Sequence, residues 1–457
     1  MISRQQVLLT ALFILVFFLT GSPLLFAVEG KEIHLSFSKA VETALLNNPD
    51  IKSTKAEIER KQADKQHATA LFMPKVDIYT DYIRGDSPSA SLFTAIDQRE
   101  LEPGTDFNNP GEFENFESGV RASMMLFNGG KDILERKAAD DFLNAARAES
   151  KSVINNITAD VMKGWFNILS AKRFTTIAED SIETIQKQLE IMTIRFKGGS
   201  VLKSDILALK VRLAEAEEER IKNKSRISLA KATLAVLLGL SPENTLLIDR
   251  SKNDFSSFEQ YVTQSLKAKN TTRPEIIQAE KMVLGTKKAS NTAKRFYTPT
   301  IQLAGKYYLD DEEMRYSRER ENWTLGVMMN LNLFSGMTNT AKKRKASANL
   351  ISARQTKKKT ELNVQLDIKK STLMLEEAVA RLKVSEKNKE LAEESLMLVK
   401  KQYDGGAVSI TRYLDAELAY SRAKSSLATV TFDKMVAIVE TARANGLLAD
   451  PGFIIKK

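Results

Sequence analysis

Apolar and polar residues alternate with a period of two in four short segments of the chain. The first pair of segments covers about residues 74–84 and 117–127, and the second pair covers about residues 299–309 and 323–334. Such alternation is typical of half-buried β-strands. The sequence therefore predicts four strands of about ten residues, each with one apolar face and one polar face.

Most of the remaining chain has a helical pattern. Between residues 129 and 196 there is no Pro, and apolar residues recur at spacings of four and three, as in helices that pack side by side. These positions include Ala178, Ile182, Ile185, Leu189, Met192 and Phe196. The pattern predicts long helices at 129–196 and 336–403, each about 100 Å long at 1.5 Å per residue. Returning helices are predicted at 201–239 and 408–446.

Two similar turns separate the long helices from the returning ones. The stretch "RFKGGSVLKSDIL" covers residues 195–207 and "QYDGGAVSITRYL" covers 402–414, and the two align at a constant offset of 207 in residue number. The paired glycines are Gly198, Gly199, Gly405 and Gly406. Gly accepts the left-handed conformation that ends a helix, and each turn is therefore predicted to reverse the chain.

The chain is an internal duplication. The offset of 207 holds without insertion over about 120 residues, and upstream it becomes 225. The difference between the two offsets indicates an insertion between the two strands of the first copy, in the segment 85–117. This segment is expected to be an exposed loop. We predict a first repeat at residues 28–240, which opens with a helix, and a second at 241–457. Each contains two strands, a very long helix, a tight turn and a returning helix.

Residues 1–27 have the pattern of a secretory signal peptide. Arg4 precedes an apolar run from Val7 to Leu19, and the small residue Ala27 lies at the expected cleavage site. A transmembrane anchor is the alternative. It requires about 20 apolar residues, and Gly21 and Pro23 interrupt this run early.

Composition argues against several classes of function. The chain has no Cys and only two His, which leaves no thiol chemistry and too few imidazoles for a His-based metal site or catalytic triad. The net charge of +10 is dispersed among acidic residues, and we interpret it as solvated helix faces, with no nucleic acid as a partner. Motifs of the GxxxxGK, HExxH and GxSxG types are absent from the sequence. We predict no enzyme activity and no cofactor.

The strands suit either a membrane barrel with a wet interior or a soluble antiparallel sheet packed on helices. In a bilayer, four strands cannot close a barrel, and open edges leave backbone groups unpaired at several kcal/mol each. If the strands span a membrane, several chains must therefore share one barrel. The long helices would then extend its polar lumen.

Together, the signal peptide, the duplicated strands and long helices, and the "TRYLDAELAYSRA" segment at 411–423 resemble the TolC-type outer-membrane efflux proteins over about residues 33–449. The resemblance implies a mostly α fold with a small transmembrane β-barrel portion, in which a homotrimer forms a 12-stranded barrel and a 12-helix periplasmic tunnel.

The resemblance also implies a function in the cell outer membrane, in contact with its lipid. Such a protein is the outer-membrane channel of a tripartite efflux or type I secretion system. It passes substrates from an inner-membrane RND or ABC transporter, with a periplasmic adaptor, to the exterior. A periplasmic coiled-coil adaptor or tethering protein without a membrane barrel is the alternative.

The resemblance also implies roles for individual residues. Asp415 takes the place of a lumen-facing acid after the second turn, Asp205 is its expected counterpart after the first turn, and Tyr403 matches a gate tyrosine. The chain departs from some family members at Val408 and Arg412. For both acids the alternative is an exposed residue at a helix start, where the helix dipole favours Asp. The two Gly-Gly turns are expected to form the periplasmic tip and to contact the adaptor.

We predict that the mature chain begins near Val28 and fractionates with the outer membrane, because the only long apolar segment is the removable one. N-terminal sequencing of the protein from fractionated cells tests this prediction. An uncleaved chain in the inner membrane would contradict it.

Overall fold

The computed structural model describes residues 32–249, 253–268, 273–315 and 318–452, and the predicted signal peptide lies outside this part of the chain. The strands are β1 (Glu32–Leu35), β2 (Lys75–Gly85), β3 (Phe113–Phe127), β4 (Thr245–Ile248), β5 (Thr300–Asp311) and β6 (Glu321–Asn330). The helices are α1 (Phe37–Asn47), α2 (Pro49–Ala70), α3 (Pro88–Asp97), α4 (Lys131–Lys197), α5 (Lys203–Leu237), α6 (Asn253–Ala268), α7 (Pro274–Thr292), α8 (Thr338–Asp404) and α9 (Ile410–Ala444).

Four strands form one antiparallel sheet in the order β2, β3, β5, β6. One face carries solvent-exposed apolar side chains, among which Ile78 is 86% exposed and Trp323 is 74% exposed. The opposite face is polar, and there Lys306 donates to Glu117 at 2.8 Å. The alternation predicted from the sequence is thus present in the structure. Because β2 and β6 lie at the ends of the sheet, each has an unpaired edge.

The helices of the two repeats have equal lengths. The long helices α4 and α8 each have 67 residues, and the returning helices α5 and α9 each have 35. Each helix of the second pair begins and ends at the offset of 207 from its counterpart. A helix of 67 residues is about 100 Å long. We call α4 with α5 hairpin 1, and α8 with α9 hairpin 2; α9 also packs on α4.

A layer of short elements packs on the middle of the hairpins. β1 and β4 pair in parallel, and Phe37 of α1 packs against Trp165 and Phe166 of α4, with ring centroids 6.0 and 5.8 Å away. β1 and β4 were not predicted from the sequence, because strands of four residues are too short to show a period of two. Among the helices in the described residues, none combines the length and apolarity needed to cross a membrane.

The two loops at the end of the sheet away from the hairpins differ in length. Residues 86–112 join β2 to β3, whereas 312–320 join β5 to β6, and the longer loop accounts for the difference predicted from the two offsets. The prediction of exposed loop throughout 85–117 was wrong. That segment contains α3, and β3 already begins at Phe113. The Pro and Ser residues that suggested a loop lie in the first turn of α3, where Pro is favoured.

Equivalent side chains fasten the ends of the returning helices. Asn48 donates from Nδ2 to the carbonyl of Leu237, the last residue of α5, at 2.8 Å. Arg273, the counterpart of Asn48 at the upstream offset, donates to the carbonyl of Ala444, the last residue of α9, at 2.6 Å. These bonds satisfy carbonyls that have no partner within their own helix.

Arg273 also forms ion pairs, which Asn48 cannot do. Arg273 is buried and forms ion pairs with Glu275 at 2.9 Å and with Asp367 at 3.1 Å. Asp367 also pairs with Arg443 at 2.8 Å. Burial alone would raise the pKa of Asp367, but hydrogen bonds from Arg443 and Arg273 outweigh it and lower this pKa. The network links α7, α8 and the carboxyl end of α9.

We predict that Arg273→Ala destabilises the protein by about 3–5 kcal/mol, because it removes the partner charge of Glu275 and one of the two partner charges of Asp367. The melting temperature of the purified protein in detergent measures the loss. Lys39→Ala is the matched control, since Lys39 pairs with Glu42 at the surface and should matter little. Equal melting temperatures for the two variants would contradict the proposed role of the network.

Candidate functional site at the helical tip

Both hairpins reverse direction at a Gly-Gly pair. In each turn, the N–H of the second Gly donates to the carbonyl three residues earlier, at 2.9 Å in hairpin 1 and 3.0 Å in hairpin 2. Gly199 and Gly406 have φ values of +71° and +77°, in the left-handed region that disfavours any side chain. Gly198 and Gly405 have negative φ values. Only the second glycine of each pair is therefore required by its backbone conformation.

A buried apolar cluster joins the two hairpins next to their turns. We call it the tip cluster, and its residues are Ile185, Met192, Leu209, Val399, Tyr403, Ile410, Tyr413 and Leu414. The first three belong to hairpin 1 and the other five to hairpin 2. Full burial of one large apolar side chain contributes about 1.5–3 kcal/mol. The tip cluster therefore holds the ends of the hairpins together within one protomer.

Tyr403 lies inside the tip cluster. Its hydroxyl donates to the sulfur of Met192 at 2.9 Å, and its ring stacks on Tyr413 with centroids 5.3 Å apart. The guanidinium of Arg195 lies 5.7 Å from the ring centroid. Burial raises the pKa of Tyr403. The predicted gate tyrosine thus bridges the two hairpins. In the sequence Met192 has only the heptad position of an apolar residue, and nothing there indicates that its sulfur accepts a hydrogen bond.

Asp205 lies in the first turn of α5. Its Oδ2 accepts a hydrogen bond from the N–H of Leu202 at 3.2 Å, so the carboxylate helps to begin the helix. At the offset of 207 its counterpart is Arg412, whose N–H donates to Ser409 at 3.4 Å. The second copy thus begins its returning helix with a serine hydroxyl instead of a carboxylate.

Asp415 is exposed on α9, one helical turn further from the reversal than Asp205. The residue of hairpin 1 that corresponds to Asp415 is Ala208. The expectation that Asp205 and Asp415 occupy equivalent places is therefore wrong. Because three residues of helix rise by about 4.5 Å, the two carboxylates lie at different depths along the hairpins.

A series of polar contacts continues the link between helices beyond the tip cluster. We call it the polar ladder: Ser181 donates to Glu417 at 3.3 Å, Lys424 to Asp180 at 2.8 Å, and Tyr420 to Glu393 at 3.0 Å. The first two contacts join α4 to α9, and the third joins α9 to α8. These pairs could not be predicted from the sequence, because their partners are on different helices and each residue alone resembles a solvated helix position.

Glu417 is the most unusual member of the ladder. It lines a cavity of about 290 Å³ between α4, α5 and α9, which Glu215 and Glu219 also line. Burial raises the pKa of Glu417, although the bond from Ser181 and the charges of Arg212 and Lys424 oppose the rise. Within the described residues, no group of three or more His, Cys, Asp or Glu side chains could hold a metal ion.

Comparison with known proteins identifies the family. A family model described as "Outer membrane efflux protein" matches residues 40–240 and 270–441, which is well over half of the chain. The chain belongs to the outer membrane efflux protein family. The resemblance inferred from the duplicated turns and strands is thereby confirmed, and the protein is placed in the outer membrane with its hairpins extending into the periplasm.

Individual relatives are distant in sequence but similar in fold. Protein CyaE of Bordetella pertussis is 20% identical over 280 residues, which cover 61% of this chain and 56% of CyaE. The chain thus spans little more than half the length of that relative. Outer membrane protein OprJ of Pseudomonas aeruginosa is 21% identical over 419 residues, covering 89% of this chain and 83% of OprJ. The structure of the CmeC outer membrane channel of Campylobacter jejuni has a TM-score of 0.76 at 16% identity, covering 90% of this chain and 85% of CmeC.

We predict that Glu417→Gln stabilises the protein at neutral pH. A carboxyl group whose pKa is raised in the folded state favours folding at acid pH, and this contribution is lost as the pH rises through the folded-state pKa. Gln keeps an acceptor for Ser181 but has no charge to bury. The variant should therefore melt above the wild type at pH 8, and the two should converge at pH 4.

Melting temperatures at both pH values measure the effect, and Glu394→Gln, at an exposed position of α8, is the control. The prediction is contradicted if Glu417→Gln is less stable than the wild type by the same amount at both pH values. In that case burial of the Glu417 charge does not destabilise the folded protein.

Proposed function

We propose that the protein is the outer-membrane channel of a tripartite efflux or type I secretion system. One observation carries this proposal: an open-edged sheet, apolar on one face and polar on the other, continues directly into two matched hairpins about 100 Å long. This shape suits a conduit that starts in a membrane and crosses a wide aqueous space. No catalytic role and no cofactor is part of the proposal.

The open edges of the sheet support a trimer. β2 and β6 each leave one row of backbone groups unpaired, and a bilayer does not tolerate such edges. Pairing β6 of one copy with β2 of the next satisfies both edges, and three copies give 12 strands around a polar lumen. The same three-fold arrangement gathers 12 helices into a tunnel.

The exposed apolar face argues against the alternative of a periplasmic adaptor or tether. Ile78, Leu325 and Val327 would lie in water in such a protein, at a large cost in free energy. In the proposed channel these side chains contact lipid instead. A periplasmic adaptor or tether would account for the two hairpins, but the channel accounts for them equally well.

We place the partners at the tip. The Gly-Gly turns are the contact proposed for a periplasmic adaptor, and the exposed apolar residues Ile194 and Leu202 flank the turn of hairpin 1. An inner-membrane RND or ABC transporter would then deliver substrate to the tunnel. Asp415, Asp205 and Tyr403 remain the proposed gate and selectivity residues, with Tyr403 acting from within the tip cluster.

In planar lipid bilayers the purified protein should form cation-selective channels, and Asp415→Asn should reduce the cation preference at low salt. A pair of unit charges about 4 Å apart interacts by about 1 kcal/mol in water and about 4 kcal/mol at an effective dielectric of 20. Asp205→Asn should have a smaller effect, because that carboxylate already accepts a backbone hydrogen bond. At 1 M salt the differences should shrink, since the Debye length falls to about 3 Å.

The possible outcomes test the proposed channel function and the proposed role of the two carboxylates separately. If the wild-type protein forms no channel, the proposed function is wrong. If it forms a channel whose selectivity is the same in both variants at low salt, the channel stands and the two carboxylates are ordinary residues near helix starts.

A further inference from the structure

The short helix α3 lies on the polar face of the sheet. Just after α3, the buried side chain of Gln98 donates to the Asn115 side chain at 3.0 Å and to the carbonyl of Glu114 at 2.9 Å. Asn115 is two residues from Glu117, so both side chains point to the same side of β3. Glu117 belongs to the polar face through its bond with Lys306. In the proposed barrel, α3 is therefore inside the lumen, at the end away from the hairpins.

Polar bonds across several strands hold α3 in this place. Asn115 donates to Asp310 of β5 at 2.7 Å, and Asn322 of β6 donates to the same carboxylate at 3.0 Å. Arg99 then donates to Asn322 at 3.1 Å. Asp310 is buried, so this network is shielded from water and the helix is anchored to three strands at once.

The orientation of α3 follows from helical geometry. At about 100° per residue, Ser91, Ala95 and Gln98 form one stripe, and Ser91 and Gln98 are buried against the rest of the protein. Phe93 and Ile96 lie on the opposite side and are 64% and 40% exposed. Since the buried stripe faces the sheet, Phe93 and Ile96 point away from the barrel wall toward its axis.

The dimensions bring three such helices together. Twelve strands spaced about 4.8 Å apart and tilted by about 40° form a barrel with a radius of about 12 Å. A helix of ten residues is about 15 Å long and about 10 Å wide. Three bodies of this size, each fixed to the wall of a lumen with this radius, meet at its axis.

We propose that the three α3 helices of a trimer close the extracellular mouth of the barrel, through contacts of Phe93 and Ile96 with the same residues of the two neighbouring copies. The partner of this apolar patch is thus a second copy of the chain. The proposal rests on the trimeric channel proposed above. It explains why two apolar side chains are exposed on the polar side of the sheet, where water alone would be an unfavourable neighbour.

Cross-linking tests the contact directly, because the chain has no Cys and single Cys variants are unambiguous. Oxidation of Phe93→Cys in intact cells should give disulfide-linked dimers, since only two of three copies can pair. Arg84→Cys is the matched control: Arg84 is exposed on the other face of β2, and its copies should stay unlinked. The amount of unheated trimer on a gel is recorded for each variant.

Labelling tests the closure independently of the tip. Ser123 lies on the polar face of β3, deeper in the barrel than α3. A Ser123→Cys protein in intact cells should react slowly with a polyethylene glycol maleimide, and adding Phe93→Asp and Ile96→Asp should speed the reaction about tenfold, the effect of ~1.4 kcal/mol of lost contact. A Cys at the exposed loop position Glu102 should react equally fast in both backgrounds.

Dimers from Phe93→Cys together with faster labelling in the Asp variant support the closed mouth. Trimers that give no dimers and label at the same rate in both backgrounds overturn it and leave the channel intact. Absence of any trimer overturns the proposed channel, and the closed mouth with it.

Discussion

The constraint on which the structure depends is that two helical hairpins packed side by side must have the same length. One residue inserted into a single helix would turn every following side chain by about 100° and remove the apolar stripe from its partner. The equal lengths of 67 and 35 residues keep both stripes in register and bring both turns to the same end. The tip cluster and the bonds at the carboxyl ends of the returning helices both require this register.

Within equal lengths, the two copies have diverged at the tip. Tyr403 and Leu414 of hairpin 2 are buried in the tip cluster, whereas their counterparts Phe196 and Leu207 in hairpin 1 are exposed. Hairpin 2 thus inserts its turn region into hairpin 1, and hairpin 1 presents apolar residues outward. The duplication gives the two hairpins the same backbone lengths, and the unequal burial of their side chains makes their contacts different.

The sequence predicted what depends on periodicity and repetition: the four strands of the sheet, the four long helices and the two turns. It did not predict features that need three-dimensional neighbours. The bond from Tyr403 to Met192 and the pair of Asp180 with Lys424 join residues that are far apart in the sequence and lie on different helices. The helix α3 was missed because ten residues with Pro and Ser at one end have the composition of a loop. The equivalence of Asp205 and Asp415 failed because the two acids differ in register by about one helical turn.

The proposed closures at the two ends of the channel differ in physical kind. At the tip, eight buried side chains join hairpins of one protomer, and any opening that separates those hairpins must expose apolar surface worth several kcal/mol. At the mouth, the proposed contact uses two side chains of each copy, Phe93 and Ile96, and it joins separate protomers. The mouth contact is therefore the weaker of the two. Opening the periplasmic end wide enough for a substrate therefore needs a bound partner, whereas outward-moving substrate can part the helices at the exterior.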